Sequence, residues 1–263
     1  MKKVVVMTGG SSGIGLQTAA ALRDAGYRVY EISRRPSEIP GVQHISGNVT
    51  SEESVRSAVA AVMEAEGRID ILINNAGFGI SGAVEYTDMD DARRQFDVNF
   101  FGMARMCAEV LPHMRKARQG RILNLSSVAA AIPIPFQTFY SASKAAVNAY
   151  TLALGNEVRP YGISVCSVMP GDIRTGFTAA RKKANAGDAE YGGRVSRSVE
   201  KMEQDEKNGM EPAAVARFLC RLAGKKSVKP LYSLRTDYRF FVLLSRILPV
   251  QLLNWLVYQL YAR

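Results

Sequence analysis

Tyr140-Ser141-Ala142-Ser143-Lys144 sets a phenol and an ammonium four residues apart. On a helix that spacing puts both on one face, within reach of a common ligand. A free tyrosine ionises near pH 10, too high for proton exchange at neutral pH, and a neighbouring lysine charge favours the phenolate and lowers that value. Taken alone, the pair is a common accident of sequence. Its neighbours give it meaning. Leu125-Ser126-Ser127 ends a strand thirteen residues before Tyr140, and Asn74-Asn75-Ala76-Gly77 ends the strand before that. Val98-Asn99-Phe100-Phe101-Gly102 places an amide inside a mostly apolar helix, where it must find partners. Pro170-Gly171 follows a later strand, with Thr175 shortly beyond.

Thr8-Gly9-Gly10-Ser11-Ser12-Gly13-Ile14-Gly15 lies between a short β-branched run and an Ala/Leu-rich helical stretch. Glycines there let the backbone turn sharply and approach a pyrophosphate, whose charge the helix N-terminus stabilises. A carboxylate at the end of the following strand would bond the ribose hydroxyls of NAD and repel a 2′-phosphate. This sequence has Ser33, Arg34 and Arg35 instead. A serine can donate a hydrogen bond and an arginine offers a planar fork suited to phosphate, worth about 1.5–3 kcal/mol when charge-assisted. Either the arginines select NADP(H) over NAD(H), or they point into solvent. The first reading is the expectation.

The elements that must hold these residues alternate. Strands are expected at Val4 to Met7, Arg28 to Ile32, Val42 to Ile45, Ile69 to Ile73, Arg121 to Leu125 and Ile163 to Val168. Helices are expected to about Ala25, from a Thr50-x-x-Glu53 capping box to about Glu66, over about Asp88 to Ala117, and over Phe139 to Arg159. Such alternation predicts an α/β fold, a doubly wound parallel sheet of the Rossmann type with helices on both faces. Ligands then sit outside the carboxyl ends of the strands, where the motifs fall.

The chain has 263 residues, 47% of them hydrophobic, enough for one sizeable core. No repeat, linker or composition break divides it. Cys107, Cys166 and Cys220 are odd in number and sit in apolar segments, so neither a disulfide framework nor a metal site is expected. His44 and His113 lie far apart without ligand partners, which makes a zinc site an unsupported reading. The formal charge of +10 is scattered in small clusters, with no nucleic-acid-binding motif beside them. No signal peptide precedes the first strand, so a cytoplasmic location is expected.

With these motifs in this order, the sequence resembles the compact, single-domain branch of the short-chain dehydrogenase/reductase family over about Val4 to Phe177. The resemblance implies hydride transfer between a nicotinamide cofactor and a carbonyl/alcohol pair. In that reading Tyr140 is the general acid/base, and Lys144 lowers its pKa and bonds the nicotinamide ribose. Ser127 holds the substrate oxygen, and Asn99 anchors a water in a proton relay. Gly9, Ser11, Ser12, Gly13, Ile14 and Gly15 form the phosphate loop. Asn48 and Val49 meet the adenine, where the family often has Asp-Val. Asn75, Ala76 and Gly77 flank the adenosine and ribose, and Pro170, Gly171, Ile173 and Thr175 complete the cofactor contacts. The family commonly forms homodimers or homotetramers, here through the helices around Asn99 and Lys144.

Beyond Pro170-Gly171 the segment to about Asn208 is polar and basic and is expected to form a mobile lid over substrate, within a domain of residues 1–235. A helix from about Glu211 to Ala223 follows, with Pro212 in its first turn. Residues 236–263 form an apolar extension in which Arg246 and Pro249 interrupt Tyr238 to Tyr261, so two short helices fit better than one span. The extension covers the substrate pocket or a subunit partner, lies in a membrane interface, or spans the bilayer. It is similar to the ending of family members acting on steroids, retinoids or other lipids. A hydrophobic substrate is therefore expected, against walls that include Phe78, Ile134, Phe136 and Phe177. Two alternatives remain: a 3-oxoacyl-thioester reductase, and a catalytically silent NADPH-binding scaffold.

Overall fold

The computed structural model describes residues 2–37, 39–176, 181–184 and 186–263. The Val-Val-Val-Met run forms β1 (Val4–Thr8), buried along its whole length. It pairs in parallel with β2 (Arg28–Ser33) on one side and β4 (Ile71–Asn74) on the other. With β3 (Gln43–Ser46), β6 (Gly120–Leu125), β7 (Ile163–Met169) and β9 (Leu231–Ser233) these make a seven-stranded sheet in the order β3-β2-β1-β4-β6-β7-β9. Every pairing in it is parallel. Strand order reverses between β1 and β4, which opens a crevice at their carboxyl ends.

Both faces of the sheet are covered, because side chains alternate along each strand. Val4 and Val6 join the apolar residues of α2 (Glu52–Glu66), α4 (Gly102–Ala117) and α5 (Thr138–Val158). Val5 and Met7 join those of α1 (Gly13–Asp24) and α7 (Pro212–Gly224). This is the doubly wound architecture that the alternating sequence predicts.

Several local expectations shift. The helix after Asn48 is capped by Ser51, not Thr50: the Ser51 hydroxyl accepts from the Ser54 amide at 3.2 Å. The Asn48 side chain accepts from the Thr50 amide (3.2 Å), closing a turn that keeps Thr50 outside the helix. The long helical region divides into α3 (Met89–Phe96), one π-helical turn over Asp97–Phe101, and α4. The expected lid segment contains β8 (Lys182–Ala184), paired with β5 (Ile80–Gly82), and α6 (Arg194–Lys207). The short edge strand β9 has too few residues to stand out in sequence. At the end, α8 (Thr236–Ile247) and α9 (Val250–Tyr261) are two helices, as expected. Leu248 is extended before Pro249, whose missing N–H and ring forbid continuation. Among the described residues, no helix is long and apolar enough to cross a membrane.

Candidate active site

The glycine loop is held by its own strand ends. Gly9 adopts φ +70°, open to glycine at little cost, and its amide donates to the Ile32 carbonyl at 2.9 Å. A side chain on Gly15 would stand 2.0 Å from the Gly9 carbonyl oxygen, so α1 approaches the loop as only glycine permits. The Thr8 hydroxyl accepts from the Asn75 and Ala76 amides, both at 3.1 Å. The Asn75 side chain donates to the Thr8 (3.1 Å) and Gly9 (2.9 Å) carbonyls. Asn75 therefore braces the loop against β4 as well as facing the cavity. Ser12 caps α1 in an extended conformation without a side-chain cap bond, and first-turn amides of a helix lack intrahelical acceptors. These groups fit a pyrophosphate.

Sequence reasoning missed Glu31. It is fully buried beneath the loop, accepting from the Gly10 amide (3.1 Å) and facing His44 Nδ1 at 2.6 Å. A lone carboxylate within the apolar β2, thirteen residues before a histidine, was the available signal. Further along β2, the Ser33 hydroxyl donates to the Arg35 carbonyl (2.6 Å) and closes the turn, so it is not the free donor expected. Arg34 and Arg35 are exposed, make no ion pair among the described residues, and face the same cavity as Asn48.

At the catalytic end, Lys144 is buried. Its ammonium donates to the Leu125 carbonyl at 2.8 Å, and the Ser126 hydroxyl donates to the Lys144 carbonyl at 3.0 Å. The Lys144 nitrogen lies 5.9 Å from the centre of the Tyr140 ring. Tyr140 shares a hydrogen bond with Ser127, whose hydroxyl also accepts from the Ala129 amide (3.1 Å). Asn99 occupies the π-helical turn, and its amide is fully engaged. It accepts from the Phe78 amide (3.0 Å) and donates to the Phe78 carbonyl (3.0 Å) and the Ser143 hydroxyl (3.1 Å). π-Turns recur at functional sites, and this one aims a side chain that an α-turn would place elsewhere.

The proton affinities correct one expectation. Burial pushes the Tyr140 phenol up to about 12. The Ser127 hydrogen bond and the Arg181 charge oppose this, while Glu206 and Asp172 add to it. Lys144 is not among the groups that act on the phenol in this structure, and burial leads. Burial also brings the Lys144 ammonium down to about 8.

One cavity of about 1390 Å³ joins these parts. Its walls include Gly9 and Ser11 to Gly15 of the glycine loop, Ser33 to Arg35, Asn48 and Val49, Asn75 to Phe78, Ser127, Ile132, Ile134, Tyr140, Lys144, and Pro170, Gly171, Ile173 and Thr175. Asn99 stands behind the wall. Phe136 does not line the cavity, contrary to expectation. With φ +58° its backbone turns the ring into a small cluster with Ala83, Val195 and Ala262, edge-on to Tyr191. Phe177 lies outside the described residues.

Of the readings open for the apolar ending, the structure bears out the one in which it covers the cavity. Leu244, Leu248, Leu253 and Val257 of the C-terminal helices and their linker form an apolar wall. Asp172, Asp205 and Glu206 line the cavity between that wall and Tyr140. The Tyr238 hydroxyl donates to Asp172 and the Tyr261 hydroxyl to Asp205 (3.2 Å for the latter), which latches α8 and α9 over the opening. Burial raises the Asp172 carboxyl pKa, with the Tyr238 bond opposing.

The model of the short chain dehydrogenase family matches residues 3–186. The chain is 43% identical over 228 residues to a 3-ketodihydrosphingosine reductase of Bacteroides thetaiotaomicron, covering 86% of this chain and 85% of that one. Its fold superposes on a short-chain dehydrogenase from Streptomyces avermitilis with a TM-score of 0.84 and 30% identity, over 97% and 96% of the two chains. A structure described as ElxO with NADP bound is similar at a TM-score of 0.77 and 26% identity, over 91% of this chain and all of that one (100%).

Proposed function

The chain belongs to the short-chain dehydrogenase/reductase family, and from that premise we propose that it is an NADP(H)-dependent reductase of long-chain, lipid-like ketones with Tyr140 as the proton donor. When bound, the nicotinamide supplies the hydride. Tyr140, protonated at neutral pH, gives its proton to the carbonyl oxygen. The Ser127 hydroxyl, already bonded to Tyr140, holds the same oxygen as charge develops on it. Lys144, fixed by its bond to the Leu125 carbonyl, would hold the nicotinamide ribose. Asn99 braces the Tyr140 helix, its amide engaged by Phe78 and Ser143, so a water relay at Asn99 would need atoms other than that amide. Arg34 and Arg35 take the 2′-phosphate.

The observation that carries the substrate class is the continuity of the cavity, from Tyr140 past three carboxylates to an apolar wall. Such a space suits an amphiphile, with a head rich in hydrogen-bond donors and a long alkyl tail. The name of the Bacteroides relative denotes a reductase of a ketone on an amino-alcohol lipid, which agrees with both ends of the cavity. The thioester reading is second, resting on scattered basic residues alone; of the carboxylates, Glu206 is already paired with Arg181 and Asp205 with Lys201. Exposed Phe101 and Leu152, at the π-turn and on α5, support assembly of copies through that face. The test is NADPH consumption against a panel of long-chain 3-ketones with amine or hydroxyl heads, steroids, acyl thioesters and small polar ketones. Turnover confined to small polar ketones or sugars would refute the lipid reading.

A further inference from the structure

The C-terminal helices face two ways. Inward they wall the cavity; outward they present Phe240, Leu243, Ile247, Val250 and Trp255, exposed to 57%, 54%, 69%, 66% and 56%, none of which lines the cavity. Ten of the fifteen large hydrophobic residues exposed among the described residues lie on α8 and α9 or the turn joining them. Scattered exposed apolar residues need no explanation, but a contiguous patch of this kind marks an interaction surface. Phe241, Leu256 and Leu260 are both exposed and part of the cavity wall, so the patch surrounds the cavity's mouth.

We propose that this face docks on an anionic lipid surface, so that an apolar substrate passes from the membrane into the cavity without crossing water. The lengths fit lying on a bilayer. Each helix has 12 residues, roughly 18 Å at 1.5 Å per residue, against a hydrocarbon core of about 30 Å. The charges fit as well. Arg235 pairs with Asp237, but Arg239, Arg246 and Arg263 are exposed at the edges of the patch and make no ion pair among the described residues. Basic residues beside exposed apolar ones are the composition of an interfacial helix, drawn to acidic headgroups. A second copy of the chain fits less well. A two-fold interface through this face would bring the same unpaired arginines of the two copies to one seam. The entry route rests on the lipid-substrate reading; the docking does not.

Trp255 is the only tryptophan in the chain and sits within the patch, so it reports docking directly. Full-length protein, without NADPH or ketone, is titrated with phosphatidylcholine vesicles with and without phosphatidylglycerol. The expected result is a blue shift of tryptophan emission and co-sedimentation with the anionic vesicles, both weakened at about 0.5 M salt. Ile247→Glu with Val250→Glu should reduce vesicle affinity at least roughly tenfold. The same variant should keep its melting temperature and its turnover of a soluble short-chain ketone. Arg239→Gln with Arg246→Gln should lose the preference for anionic vesicles. No shift with either vesicle would overturn the proposal, as would a shift that follows protein concentration without lipid and accompanies a doubled mass. Docking with no turnover of any lipid ketone would leave the surface standing and sink the substrate reading instead.

Discussion

Tyr140 holds its proton well above neutral pH through burial, so the two directions of the reaction should differ in their pH dependence. With a phenol near 12 it is a ready acid and a poor base, so ketone reduction should be flat from about pH 6 to 8 while alcohol oxidation climbs into the alkaline range. Steady-state rates in both directions across pH check this. Tyr140→Phe should cut turnover by about 10²–10⁴-fold while leaving NADPH affinity nearly intact; near-normal turnover would remove Tyr140 from the reaction. Lys144 has a separate signature in stability. Its folded pKa of about 8 lies below its ordinary 10.5, so the folded protein binds fewer protons in that window. The Lys144 contribution to stability should therefore rise with pH from about 8 toward 10.5, by on the order of 3 kcal/mol at most, while the Cys107 and Cys166 thiols, raised by burial to about 12, work in the opposite sense above their ordinary 9. The difference in urea midpoint between the protein and its Lys144→Met variant should change across pH 8 to 10.5 by that contribution, since the thiols and tyrosines are common to both. At the other end, Arg34→Ala with Arg35→Ala should weaken NADPH roughly ten- to hundredfold and leave NADH unchanged. Equal loss of both would mean that the arginines do not meet the 2′-phosphate.

Elements place these residues by small local devices. Thr8 and Asn75 tie the ends of β1 and β4 together, and the glycine loop hangs from that tie. The π-turn before α4 sets Asn99 between Phe78 and α5, which holds the Tyr140 helix in register. Ser51 starts α2 by satisfying the Ser54 amide, while Asn48 closes the turn that faces the cofactor groove. Ser51→Ala should cost about 1 kcal/mol, roughly 2–4 °C in melting temperature for a chain of this size, with little effect on turnover. Thr50→Ala should cost less, since its side chain caps nothing.

At the scale of the whole molecule, the chain attaches an apolar wall to a doubly wound parallel sheet. Two tyrosine–carboxylate bonds fasten that wall over the opening, to Asp172 after β7 and to Asp205 on α6. A methylene that leaves water for such a wall contributes about 0.8 kcal/mol, roughly fourfold in affinity. KM should thus fall about fourfold per added methylene in a homologous ketone series until the wall is covered. Leu253→Ala should flatten that dependence without changing turnover of the shortest members. A KM indifferent to chain length would exclude the wall as the tail's site.

The sheet and its crevice were legible because they are written locally. Runs such as Val4 to Met7, a glycine loop and spaced pairs such as Tyr140 and Lys144 occupy single elements, and periodicity reports an element's partners. The sequence alone therefore determined the fold, the family and the residues that gather at one crevice. Only tertiary structure decided which groups are desolvated. Burial depends on what other elements bring, so Tyr140 rises where the lysine alone implied a fall. The same holds for contacts across long separations: Tyr238 with Asp172, Glu31 beneath the glycine loop, and Phe136 turned away by its left-handed backbone. The apolar ending was visible as composition, but its two-faced role was not. That depended on where Pro249 divides the segment into two helices and which side the sheet leaves uncovered.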